Sequence, residues 1–185
     1  MEENAPLYEV AYSFENPGPW VSKERPWRKL CPPTVPRSAS YPKIPLHTIG
    51  REAARKYPHN MAIYFVNEER KYTYRELMYW SDKIAAGLAE IGVKKGDGVG
   101  VYMTNSPEFI FTVYAITQNG AIVVPLNPML KPHDIQHIIS DSGIIKTVIC
   151  SAPLYPNLKP LQTQTGIENV VIDGEAQDGT LSLKD

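Results

Sequence analysis

The middle of the chain, from Thr73 to Gly92, carries apolar residues at the spacing of an amphipathic helix. The hydroxyl of Thr73 and the carboxylate of Glu76 stand three residues apart, as in a capping box at a helix start. Gly92 tolerates the left-handed backbone that commonly ends a helix. Apolar positions three and four residues apart predict one buried face, formed by Leu77, Trp80, Ile84, Leu88 and Ile91.

Short apolar runs on either side of this helix predict strands. The run at residues 61–66 and the segment at 71–73 flank polar residues 67–69, which is the pattern of a hairpin. The later strand-like runs occupy residues 99–103, 121–124, 145–150 and 170–172.

Helical segments separate the later runs. Ser106 and Pro107 are typical of a helix cap and first helical position, and Glu108 places a negative charge at the positive end of that helix. Two more helices are predicted at 47–56 and 132–142. Because strands that alternate with helices need crossover connections, we predict an α/β fold with an open, mostly parallel sheet flanked by helices.

The first 46 residues follow a different pattern, with eight prolines between Pro17 and Pro45. Each proline fixes φ and removes a backbone donor, which excludes a continuous helix or an inner strand. Aromatic residues such as Trp20 alternate with the prolines and favour an arm docked on the body. We therefore divide the chain into a Pro-rich extended arm, residues 1–46, and an α/β domain, residues 47–185.

Composition narrows the function classes. The 185 residues hold 19 basic and 20 acidic side chains, a net charge of −1, which argues against a nucleic-acid partner. No apolar run approaches the roughly 20 residues that a transmembrane helix needs, and the acidic N-terminus does not resemble a signal peptide. Cys31 and Cys150 are far apart, which favours a reducing cytoplasm over a disulfide scaffold. Peripheral membrane association and a homo-oligomer stay open.

Two groups of residues suggest sites that closer inspection rejects. Gly96, Gly98 and Gly100 lie before a strand with the wrong spacing for a dinucleotide-binding loop, so we interpret them as a turn and a close packing position. His133 and His137 share a helix face, but the apolar residues between them define the opposite, buried face, and no third ligand lies nearby. We therefore name no catalytic, cofactor-binding or metal-binding residue.

An ordered series of short motifs resembles the adenylate-forming superfamily, which includes the acyl-CoA synthetases. The string at residues 72–77 (Tyr-Thr-Tyr-Arg-Glu-Leu) is similar to its first core motif. Gly98 is a departure, because the family commonly carries Arg there. The remaining matches are residues 85–88, 92–99, 105–109, 119–121, 124–128 and 140–143. Trp27, Tyr41, Pro42, Pro45 and Leu46 are similar to the arm of fatty-acyl-CoA ligases.

This resemblance implies the N-terminal part of an ATP-dependent ligase. Such enzymes activate a carboxylic acid as an acyl-adenylate and transfer the acyl group to CoA, with Mg²⁺ beside the phosphates. A fatty acid is the expected substrate. The family's Ser/Thr/Gly-rich phosphate loop, which ends in Pro-Lys-Gly, and its catalytic Lys have no match in this sequence. The segment should therefore bind no cofactor itself, be inactive alone and have the remainder of the ligase as its partner.

A second hypothesis remains at this point. The chain also fits a non-enzymatic remnant or binding module that retains the ligase scaffold without its chemistry. The reading frame downstream discriminates between the two, because a ligase requires the phosphate loop to follow.

Overall fold

The computed structural model describes residues 43–177 and 179–183, together with residues 30, 32 and 34. By their internal contacts, Met1–Lys43 and Ile44–Asp185 are separate units. Most of the predicted arm, including its aromatic residues and Cys31, lies outside the described residues. The division at residue 46 therefore stays a prediction.

The second unit begins with helix α1, Leu46–Lys56, and an antiparallel hairpin of β1, Met61–Phe65, and β2, Arg70–Thr73. A short 3₁₀ turn, Val66–Glu68, joins the two strands, and Glu69 closes it with a φ of 53°. The predicted hairpin is thus confirmed.

Helix α2, Tyr74–Glu90, starts with the predicted capping box. The hydroxyl of Thr73 accepts from the amide of Glu76 at 3.3 Å, and the Glu76 carboxylate accepts from the amide of Thr73 at 2.7 Å. These bonds lower the pKa of Glu76, the backbone bond most strongly. Gly92 has a φ of 91° just beyond the helix, as predicted.

The predicted buried face of α2 is wrong at Trp80, whose side chain is 45% exposed. Ser81 is completely buried instead, and its hydroxyl donates to the carbonyl of Leu77 at 2.7 Å. The buried stripe is therefore centred on the Leu77–Ser81 line, and Trp80 lies at its edge, a displacement that spacing alone does not show.

The remaining elements alternate, with 3₁₀ turns at Ala152–Leu154 and Lys159–Thr163. In chain order they are β3 Gly98–Tyr102, α3 Pro107–Gln118, β4 Ile122–Pro125, α4 Pro132–Ser142, β5 Ile145–Ser151, α5 Tyr155–Leu158, β6 Asn169–Asp173 and β7 Leu181–Ser182. The strands form a sheet in the order β4-β3-β5-β6-β7, with every pairing parallel, which confirms the predicted α/β fold.

Alternate residues of each strand face two separate apolar layers. Val99 and Val101 point toward α2 and α3, whereas Val148 and Ile172 point toward α4 and α5. All four are fully buried, as expected for strands covered by helices on both faces. Among the described helices, none has the length and apolar character needed to cross a bilayer.

Candidate functional site

The carboxyl ends of the parallel strands meet at one edge of the sheet. The chain leaves β3, adds β4 on one side and then returns to place β5 on the other side. The strand order therefore reverses between β3 and β5. In open α/β sheets the crevice outside such a reversal is the usual place for ligands. The loops at residues 103–106 and 152–154 border this crevice.

Hydroxyl groups and one backbone bond define the crevice. The amide of Thr104 donates to the hydroxyl of Ser151 at 3.3 Å, which links the two loops across the reversal. Ser106 caps α3 by accepting from the amide of Phe109 at 3.1 Å. Thr104 and Asn105 are exposed, whereas Ser151 is only 8% exposed. The crevice thus offers small neutral polar groups.

The neighbouring loop, after β4, is anchored by Tyr102. Its side chain is fully buried, and its hydroxyl lies 3.3 Å from the carbonyl of Pro128 and 3.2 Å from that of Leu130. Asn157 donates its side-chain amide to the same hydroxyl at 3.3 Å. Since one hydroxyl has one proton to donate, the two carbonyls share it. Tyr102 therefore fixes this loop from below and has no free group for catalysis.

An ion pair fastens the hairpin to the start of α3. The guanidinium of Arg70 contacts both carboxylate oxygens of Glu108, with Nη2 to Oε2 at 3.2 Å, and Nη1 also donates to the hydroxyl of Tyr72. Arg70 Nε lies 2.8 Å from the carboxylate of Glu68. The hydrogen bond with Glu108 raises the pKa of Arg70. Partial burial acts to raise the pKa of Glu108, but the hydrogen bond from Arg70 and the backbone outweigh it, so that pKa is lowered.

These groups do not form a phosphate site. Glu108 keeps a negative charge in the first turn of α3, where the helix dipole would otherwise favour an anion. Arg70 already lies between two carboxylates. The described residues at this edge therefore do not fit the triphosphate of ATP or its Mg²⁺, and no reaction step is derived through those groups.

Nucleophilic chemistry is not supported either. Burial raises the pKa of the Cys150 thiol to about 12, so the thiol stays protonated inside β5 at neutral pH. Within the described ranges, no cluster of three or more His, Cys, Asp or Glu side chains has the arrangement of a metal site. Naming no site residue stays a prediction for the chain as a whole.

The two residue groups that the sequence analysis set aside have structural positions. His133 and His137 are exposed on α4, opposite the buried Ile135 and Ile139, and His133 contacts Asp134. Gly96 has a φ of 90° in the turn before β3.

Gly100 is the packing position that we predicted. A Cβ at Gly100 would lie 3.2 Å from a methyl of Val148, which leaves little room for a side chain.

A second concave surface lies away from the carboxyl edge, between α2 and the last strand. This α2–β7 groove has a volume of about 920 Å³. Its walls include Tyr79, Trp80 and Lys83 from α2 and Val171, Leu181 and Leu183 from the β6–β7 side. The sequence analysis missed it, although two adjacent aromatics on a helix with a separate buried stripe are a signal that would have indicated it.

The groove is apolar and open. The rings of Tyr79 and Trp80 meet edge to face with centroids 5.2 Å apart, and both side chains remain about half exposed. Lys83 lies over the Tyr79 ring at 5.9 Å. Leu181 on the opposite wall is 43% exposed. Large exposed apolar surfaces of this kind mark interaction sites more often than single exposed residues do.

Comparison with known proteins places this geometry in a family. Residues 50–184 match the family described as AMP-binding enzyme. The long-chain-fatty-acid–CoA ligase of Bacillus subtilis is 26% identical over 152 residues, which is 82% of this chain and 27% of that protein. The 4-coumarate–CoA ligase 3 of rice (Oryza sativa subsp. japonica) is 31% identical over 114 residues, 62% of this chain and 20% of that protein.

A solved structure supports the same relationship. A long-chain-fatty-acid–CoA ligase from Archaeoglobus fulgidus superposes with a TM-score of 0.72 and 34% identity, covering 80% of this chain and 30% of that one. The chain thus spans between about a fifth and a third of the length of these relatives. The family match extends over most of the sequence, includes α2, the whole parallel sheet and both loops of the crevice, and agrees with the superposition. The chain therefore belongs to the AMP-binding enzyme family.

Proposed function

We propose that this chain is the N-terminal part of an ATP-dependent acyl-CoA ligase that activates a fatty acid. In that role residues 47–185 provide the first α/β unit and residues 1–46 an arm. ATP, Mg²⁺ and CoA bind to the rest of the enzyme, which is the partner of this part. The proposal includes a cytoplasmic location.

The observation that carries the proposal is the superposition on the Archaeoglobus ligase over 80% of this chain at 34% identity. Family membership alone does not identify the acid, since the relatives include both a fatty-acid ligase and a 4-coumarate ligase. The fatty acid is therefore the part of the proposal that most needs a direct test.

The side chains of this part act as scaffold. The Arg70–Glu108 pair holds the start of α3, and the Thr104–Ser151 bond joins the loops beside it. Neither contact presents a free base, nucleophile or cation to a substrate. The 185-residue chain is therefore expected to have no adenylation activity by itself.

A chimeric ligase tests this proposal. Residues 43–183 replace the matched region of the Archaeoglobus ligase, and ATP–pyrophosphate exchange is measured with a long-chain fatty acid and with 4-coumarate. We expect exchange with the fatty acid in the chimera and none from the 185-residue chain.

Two outcomes would contradict parts of the proposal. Exchange by the 185-residue chain alone would show that it contains the chemistry. A folded chimera without exchange, next to an active parent enzyme, would favour a scaffold that no longer supports catalysis.

A further inference from the structure

The strands beside the α2–β7 groove explain why this surface is uncovered. Parallel strands are normally joined by a crossover of a dozen or more residues, which places a helix over the sheet. The connection from β6 to β7 consists only of residues 174–180 and contains no helix. The helix layer formed by α2 and α3 therefore does not extend over β6 and β7 among the described residues.

The size of the groove suggests what covers it. One turn of an α-helix fills a cylinder roughly 10 Å wide and about 5.4 Å high, or roughly 420 Å³. The groove volume of about 920 Å³ corresponds to about two such turns. Apolar walls formed by Trp80 and Leu181, with Lys83 and Glu90 also at the lining, suit a helix with one apolar face.

The chain length indicates where that helix comes from. This chain spans 27% of the Bacillus ligase and 30% of the Archaeoglobus ligase, so most of each relative has no counterpart here. Leu183 lines the groove, and any polypeptide that follows it in a longer protein starts at this surface.

From these observations we infer that the α2–β7 groove is the docking surface for an amphipathic helix from the remainder of the ligase. This inference rests on the proposed function, since it takes the remainder of the ligase as the occupant. It adds to that function the surface on which the two parts join.

Hydrogen exchange in the chimera described above tests the inference without using activity. Exchange is followed by mass spectrometry in peptides that contain Tyr79 and Trp80, first in the 185-residue chain and then in the chimera. A covered groove should slow the exchange of these peptides about tenfold or more in the chimera, because local opening of α2 then requires undocking. Equal exchange in both proteins, with the chimera folded, would overturn the inference.

A pair of matched variants adds a second readout. Trp80→Glu places a charge in the groove, whereas Tyr64→Glu places one at an equally exposed aromatic on the hairpin, outside the groove. The chimera should lose thermal stability with the first variant and retain it with the second. Equal losses from both variants would contradict docking at the groove.

The 185-residue chain provides a test that does not depend on chimera folding. It should bind the dye ANS, and Trp80→Glu should reduce that binding whereas Tyr64→Glu should not. Identical binding by both variants would count against an open apolar groove. A dimer in light scattering that Trp80→Glu converts to monomer would assign the groove to a second copy and overturn the inference.

The docking and the proposed function fail separately. A chimera with slow exchange in α2 but no ATP–pyrophosphate exchange retains the docking surface and removes the proposed activity. An active chimera whose α2 peptides exchange as fast as in the 185-residue chain retains the function and removes the docking.

Discussion

On the α4–α5 side of the sheet, Ile135, Tyr155 and Leu158 are at most 1% exposed, whereas on the opposite side, at the α2–β7 groove, Trp80 is 45% exposed. The same strands, β5 and β6, border both regions. The connections account for the difference: the one from β5 to β6 contains α5 and two 3₁₀ turns, and the one from β6 to β7 contains no helix. One face is thus complete within this chain, and the other offers a surface to a partner.

The largest expected difference between the two regions comes from truncating one side chain in each. Ile135→Ala should lower the free energy of unfolding by about 2–5 kcal/mol, because it leaves a cavity in a fully packed layer. Trp80→Ala in the 185-residue chain should change it by only about 0.5 kcal/mol, because its surroundings are open. Urea unfolding of both variants measures the contrast, and similar losses would show that the groove is closed in the isolated chain.

The ion pair beside the groove predicts a smaller effect with a distinct pH dependence. Glu108→Gln should cost about 2 kcal/mol at pH 7, since it removes charge-assisted hydrogen bonds from Arg70. The pKa of Glu108 is lowered in the folded chain, so its contribution is present above the ordinary value of 4.5 and lost as the pH falls through the folded pKa.

Urea unfolding between pH 7 and pH 3 checks this sign. Wild type and Glu108→Gln should converge toward the acid end, because protonation removes the same interaction. Glu52→Gln, which breaks the exposed pair with Arg55, is the control and should leave the midpoint unchanged. A stability difference that persists at pH 3 would assign the cost of Glu108→Gln to packing.

Gly98 tests the strand that lies between the two layers. A Cβ at this position would lie 2.9 Å from Cγ1 of Ile144 and 3.2 Å from its backbone carbon. Gly98→Ala should therefore destabilise the chain by about 1–2 kcal/mol. Adding Ile144→Ala removes only the side-chain part of the clash and should recover part of the loss. Full tolerance of Gly98→Ala in urea unfolding would show that the strand can shift.

Local features of this fold were predictable from the sequence, and features made by distant residues were not. The Thr73–Glu76 capping box and the turn at Gly96 depend on neighbours within a few positions, so their patterns sufficed. The pair of Arg70 and Glu108 joins residues 38 apart, which no local spacing indicates.

The boundary of the core also escaped prediction. Trp80 falls at the edge of the apolar stripe, where periodicity assigns a face but not the extent of its cover. Strand β7 has two residues and forms only by pairing with Val171 and Ile172, so it leaves no pattern of its own. The candidate site depends mainly on such tertiary placements, because the crevice follows from strand order.

A last, smaller prediction reverses the usual sign of a core mutation on the α2–α3 side. Thr112 is fully buried, and its hydroxyl makes no hydrogen bond to a described residue, whereas the equally buried hydroxyl of Ser81 donates to Leu77. Replacing an unpaired buried hydroxyl by a methyl of the same shape removes a desolvation cost, so Thr112→Val should raise the free energy of unfolding by about 1 kcal/mol. Ser81→Ala should lower it by about the same amount. Opposite shifts of the urea midpoints would confirm the contrast, and a loss in both variants would show that Thr112 finds a partner in solution.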